Sequence, residues 1–74
     1  MPEYIIDVGN IEQLQMIDDR DELEKIFTRA KSTVVQGGQV VLSRKFGNSL
    51  EPFDEITTED DLNKYREGVM KFIS

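Results

Sequence analysis

Ile11-Glu12-Gln13-Leu14-Gln15-Met16-Ile17 reads two ways. As a strand, it sets Leu14 and Met16 on one face. As a helix, it lines up Ile11, Leu14 and Ile17 behind Asn10 as a cap. The choice decides the architecture. The strand reading pairs this stretch with Tyr4-Ile5-Ile6-Asp7-Val8, where Tyr4, Ile6 and Val8 share a face at period two. Gly9-Asn10 lies between them as a turn pair, since both residues tolerate positive φ. A three-residue turn from Gly9 to Ile11 then sets Leu14 opposite Ile6 and Met16 opposite Tyr4, which favours the strand. The helical alternative removes half of the sheet that follows from this alignment.

Further along, Asp18-Asp19 announces a helix. Asp19 as N-cap with Glu22 three residues on forms a capping box, and the acids suit the positive end of the helix dipole. Leu23, Ile26, Phe27, Ala30 and Val34 make its apolar stripe, and Gly37-Gly38 stops it. Gln39-Val40-Val41-Leu42-Ser43-Arg44-Lys45-Phe46 is the strongest strand in the chain. Gly47-Asn48-Ser49 turns it into a further strand from Leu50 to Ile56. Pro52 marks that strand as an edge. A three-residue turn there pairs Phe46 with Leu50, Lys45 with Glu51 and Val40 with Ile56. Thr57-Thr58 caps a last helix, with Asp60 or Asp61 at its third position and a stripe of Leu62, Tyr65, Val69, Phe72 and Ile73.

The two halves then run in step. The Gly-Asn pairs are 38 residues apart, and Asp21-Glu22-Leu23 and Asp60-Asp61-Leu62 are 39 apart. The expectation is one α+β domain over 1–74, a two-layer sandwich in the order β-β-α-β-β-α. It has a duplicated β-β-α unit (3–36 and 39–74) and a four-stranded, largely antiparallel sheet with two helices on one face. Neither unit could bury its sheet face alone.

Composition narrows the chemistry. The chain has 74 residues, no cysteine and no histidine, so thiol chemistry and the commonest general base are excluded. Apolar runs reach only three residues, and the start Met1-Pro2-Glu3-Tyr4 lacks a signal-peptide layout, so a cytoplasmic location without membrane contact is expected. The net charge is −6, which argues against nucleic acid as a partner. The charge is laid out in blocks. Met1 to Glu24 holds eight acids and one base, Lys25 to Leu50 five bases and no acid, and the remainder seven acids and three bases.

Clustered carboxylates at Asp18–Glu22 and Asp54–Asp61 could attract a divalent cation, but they lack an EF-hand glycine and sit where helix N-termini favour acids. No metal or other cofactor is expected. Serines and threonines have no histidine to activate them and no lysine at a recognised catalytic spacing, so no enzymatic activity is expected. Two surfaces remain. The open sheet face would expose Ile5, Val41 and Phe53, along with Asp7, Gln13, Gln15, Ser43, Lys45 and Glu51. These three residues are more apolar than a free surface needs, and such a patch, when contiguous, marks an interface. The basic middle could gather Arg29, Arg44 and Lys45 into an anion site for a nucleotide or nucleic-acid phosphate. The leading expectation is a non-catalytic interaction or regulatory module. It would work through the open sheet face or a strand edge, with another protein or a second copy of itself as partner.

Overall fold

Asp7, rather than Asn10, starts the first helix. The computed structural model describes residues 2–73. Met1, which begins the N-terminal reading, and Ser74, which ends the second repeat, lie outside the described residues. Strand β1 (Glu3–Asp7) runs directly into helix α1 (Val8–Met16). The Asp7 carboxylate accepts a hydrogen bond from the Gly9 N–H at 2.9 Å and caps the helix. Gly9 and Asn10 therefore sit in its first turn, and neither adopts a positive φ. Val8, Ile11 and Leu14 form the buried face. The strand expected from Ile11 to Ile17 is thus a helix. Burial agrees in part: Met16, which the strand reading turned inward, is 86% exposed, while Ile17, which the helical reading placed on the buried face, lies past the helix end and is 68% exposed.

The α1 end is closed by Asp18 at φ 55°, in the left-handed region. The Asp19 N–H reaches the Leu14 carbonyl at 3.0 Å and the Asp18 N–H the Gln15 carbonyl at 3.3 Å, the paired bonds of a Schellman motif. Asp19 at once caps helix α2 (Arg20–Val35), its carboxylate accepting from the Glu22 N–H at 3.1 Å. One residue thus closes one helix and opens the next. Helix α2 buries Leu23, Phe27, Ala30 and Val34 and ends in the same motif. Gly37 stands at φ 85°, and the Gly38 N–H donates to the Thr33 carbonyl at 2.9 Å.

Strand β2 (Gln39–Phe46) lies parallel to β1, with Tyr4 beside Val40 and Ile6 beside Leu42. Strand β3 (Ser49–Ile56) returns antiparallel to β2, and helix α3 (Glu59–Met70) follows. The Thr58 hydroxyl caps α3, accepting from the Asp61 N–H at 3.2 Å. The order is β-α-α-β-β-α, and the sheet has three strands in the order β1-β2-β3. This corrects the expected four-stranded sheet with two helices. It also removes the duplicated β-β-α unit, because the first half is β-α-α. A parallel strand pair needs a crossover, and α1 and α2 supply it.

The β2–β3 hairpin corrects a second expectation. Its turn has two residues, Gly47 and Asn48, so Phe46 faces Ser49, Lys45 faces Leu50 and Arg44 faces Glu51. Gly47 takes φ 60° at the first turn position, as a type II′ turn requires. Between Leu42 and Ser43 the register slips, leaving Phe53 as an unpaired bulge residue. That extra residue restores the expected pairing of Val40 with Ile56 at the far end.

Ile6, Val40, Leu42 and Ile56 are buried on one sheet face, against the apolar sides of the helices. Helices α1 and α2 pack on β1 and β2, and α3 packs on α1 and α2. The thinnest Cα dimension is 16 Å, room for one sheet and one helical layer. The Phe27 and Tyr65 rings meet edge-on at 5.8 Å, and Arg66 bonds Glu24 at 2.6 Å, joining α2 to α3.

Three substitutions test this connectivity. Asp7→Ala should lower stability by about 1 kcal/mol through loss of the α1 cap. Chemical denaturation measures it, and no change would mean that α1 does not start there. Gly37→Ala should cost about 1 kcal/mol for its positive φ alone. Gly38→Ala should cost more, because its Cβ would fall 2.2 Å from the Pro2 carbonyl oxygen at the β1–β2 junction.

Candidate interaction surface

All the strand residues of the core face the helices, and among the described residues no element covers the opposite sheet face. Ile5 and Val41 are register partners on that face, and Val41 pairs onward with Glu55. Ile5 is 50% exposed, Val41 half-buried and Phe53 59% exposed. Phe53 and Val41 line one shallow cleft of about 340 Å³ with Pro52 and Glu55. Ile5 and Val41 are thus neighbours on this face, and Phe53 borders the same cleft as Val41 at the β3 edge, past Val41's partner Glu55. Lys45 and Leu50 extend the same face towards the hairpin tip.

Of the other expected members, Gln13, Gln15 and Glu51 leave the face, and Ser43 stays on it but is buried. Gln13 and Gln15 are on α1, and the Gln15 amide donates to the Val69 carbonyl at 3.1 Å, tying α1 to α3. Ser43, flanked by its partners Asp7 and Pro52, is only 2% exposed. Glu51 pairs with Arg44, which points towards the helices, because the two-residue turn shifts each residue of β3 by one position near the tip.

Strand β3 is exposed from Ser49 through Glu55 and becomes buried only at Ile56. The hairpin therefore projects past the helical layer. On its helix side, Phe53 and Arg44 face Tyr65, Val69 and Phe72 across a cleft of about 360 Å³. Phe53, at the bulge on the sheet edge, borders this cleft as well as the one beside Val41. Tyr65 and Phe72 were legible only as helix-stripe residues. Phe72 instead lies beyond the last α3 turn and is exposed, while its neighbour Ile73 is buried.

The basic residues are not gathered. Arg44 forms a two-pronged ion pair with Glu12 of α1, at 3.1 and 3.2 Å. Arg44 and Lys45 line a cleft beside Asp7 and Asn10, whereas Arg29 lies with Lys25 in a separate cleft beside β1. Lys31 lies in a third, with Glu24 and Arg66. The hydrogen bonds from Arg44, then its charge, hold the Glu12 carboxyl below its usual value. Burial, followed by the Glu12 charge, raises the Tyr65 phenol above its usual value. Among the described residues no three carboxylates converge as metal ligands would, and no helix is long and apolar enough to cross a membrane. Comparison with protein families, curated proteins and solved structures finds no match to this chain.

Both shifts give signed pH predictions. A lowered carboxylate pKa adds stability above the ordinary glutamate range, which is lost as pH falls through the folded value. Glu12→Gln should therefore flatten the acid limb of the stability profile. The difference should shrink in high salt, because the pair is exposed. Urea midpoints from about pH 7 to pH 3 at two ionic strengths measure it. A raised phenol pKa gives stability that is complete below the unfolded tyrosine value and lost as pH rises through the folded one. Tyr65→Phe should remove that alkaline loss, and ultraviolet titration should show one phenol ionising late.

Proposed function

We propose that this chain is a non-catalytic protein-interaction module whose docking surface is the bare sheet face. The observation that carries the reading is the apolar set Ile5, Val41 and Phe53, the first two register neighbours and the third on the same cleft as Val41, with no other element of the described residues over it. Exposed apolar surface of this kind is kept where it is covered in use. The rim suggests what covers it. By register, Glu3 and Glu55 flank these residues and Asp7, whose carboxylate caps α1, stands at the end of β1, with Lys45 as the base on this face among the described residues. Two copies at −6 each would set these acids near one another. A partner with an apolar centre and a basic rim fits better than a second copy. An anion site on Arg29, Arg44 and Lys45 draws less support, because Arg44 already holds Glu12 and Arg29 lies in another cleft.

Affinity capture followed by titration of the purified partner tests the proposal. Val41→Asp and Phe53→Ser should each weaken binding about tenfold or more, with the circular dichroism spectrum unchanged. Light scattering of the chain alone should report a monomer. Undiminished binding by both variants would refute the assignment of the face.

A further inference from the structure

The two edges of the sheet are not alike. The β3 edge is broken by Pro52, which has no N–H, and by the bulge at Phe53, and it carries Glu51, Asp54 and Glu55. These features keep a further strand away. The β1 edge has neither the proline nor the bulge, and its acids, Glu3 and Asp7, stand at its two ends. Strand β1 pairs only with β2, and its five residues contain no proline, no bulge and no lysine.

The backbone shows which groups are free. The Pro2 carbonyl accepts from the Gln39 N–H at 3.1 Å, so the even-numbered residues address β2. Strand groups alternate in direction, so the Glu3 and Ile5 N–H and C=O groups point away from the sheet. Beside them runs a cleft of about 250 Å³, with β1 from Tyr4 to Asp7 as one wall and Glu22, Lys25, Ile26 and Arg29 of α2, two bases to one acid, as the other. Arg29 has no carboxylate within ion-pair distance among the described residues, and Lys25 reaches Glu22 only at 4.0 Å.

We propose that this groove takes an extended peptide segment of a partner protein as a fourth strand, paired with the outward backbone of Glu3 and Ile5. The flanking charges define its pattern. Positions on the open face would lie beside Glu3, Ile5 and Asp7, and favour basic, apolar and basic side chains in turn. Positions between them would turn towards Ile26, Lys25 and Arg29 and favour acidic or apolar ones. A second copy of β1 does not meet this pattern. An antiparallel pair centred on Ile5 would set Glu3 opposite Asp7, acid against acid. Strand addition of this kind takes affinity from main-chain bonds and specificity from alternate side chains.

This inference deepens the interaction-module reading and rests on it, but a different group carries it: the Ile5 amide rather than the Ile5 side chain. The probe is the acetylated, amidated heptapeptide TKEVEKT, with the charge-inverted TEKVKET as control. Binding is followed by amide shifts of the labelled full chain. TKEVEKT should shift the Glu3 to Asp7 amides and bind about tenfold tighter than the control. N-methylation of one alternate set of its amides should abolish binding, and methylation of the other set should leave it. Arg29→Glu should weaken it severalfold. Ile5→Ala keeps the amide and should weaken binding only severalfold, through the lost apolar contact, whereas Ile5→Pro removes the outward donor and should abolish it. If Ile5→Pro does not fold, the N-methyl series decides alone. Absence of shifts in β1, equal binding of both peptides, or indifference to both methylation patterns overturns the proposal. Loss of partner binding in Val41→Asp with TKEVEKT binding intact would separate the face from the edge.

Discussion

The parallel pairing of β1 with β2 is the constraint on which the rest depends. Two parallel neighbours cannot be joined by a tight turn, so the chain must travel the length of the sheet between them. It does so as two helices in succession, hinged at Asp18-Asp19. Both helices bury their apolar stripes against Ile6, Val40 and Leu42, and α3 closes the same layer with Leu62, Val69 and Ile73. Everything the chain has for covering a sheet is used on one side. The bare face follows from this topology, and Ile5 and Val41 are exposed or half-buried on it.

The hairpin adds a second consequence. A two-residue turn and a bulge together keep the deep end of β3 in register while shifting its tip. The shift turns Glu51 to the helix side beside Arg44 and frees Phe53 from pairing. The Arg44–Glu12 pair then ties the projecting hairpin to α1. Both side chains are exposed, so the link orients the hairpin more than it stabilises the fold.

Much of this was legible where a local signal has a local cause. The Asp19 and Thr58 caps, the Gly37-Gly38 stop and the edge position of Pro52 each follow from chemistry within a few residues. The first third of the chain was not. Gly9-Asn10 resembles a hairpin turn, and Leu14 and Met16 alternate as a strand would. Yet Asp7 offered a cap, and Val8, Ile11 and Leu14 a helical face that only the rest of the core could bury. Tertiary burial overrode the local pattern. The bulge was hidden for a related reason, since its register at Val40 and Ile56 matches that of a longer turn. In the candidate site, the apolar set was visible from strand alternation. The separation of Arg29 from Arg44 depended on the crossover, which the antiparallel reading did not contain.

The central claim is that the free chain leaves one sheet face open to solvent. Methyl relaxation by a soluble paramagnetic chelate tests it directly. The account predicts strong relaxation of the Ile5 and Val41 methyl groups, while those of Ile6 and Leu42, one residue along each strand, are spared. Equal protection of all four would mean that the face is already covered and would contradict the account.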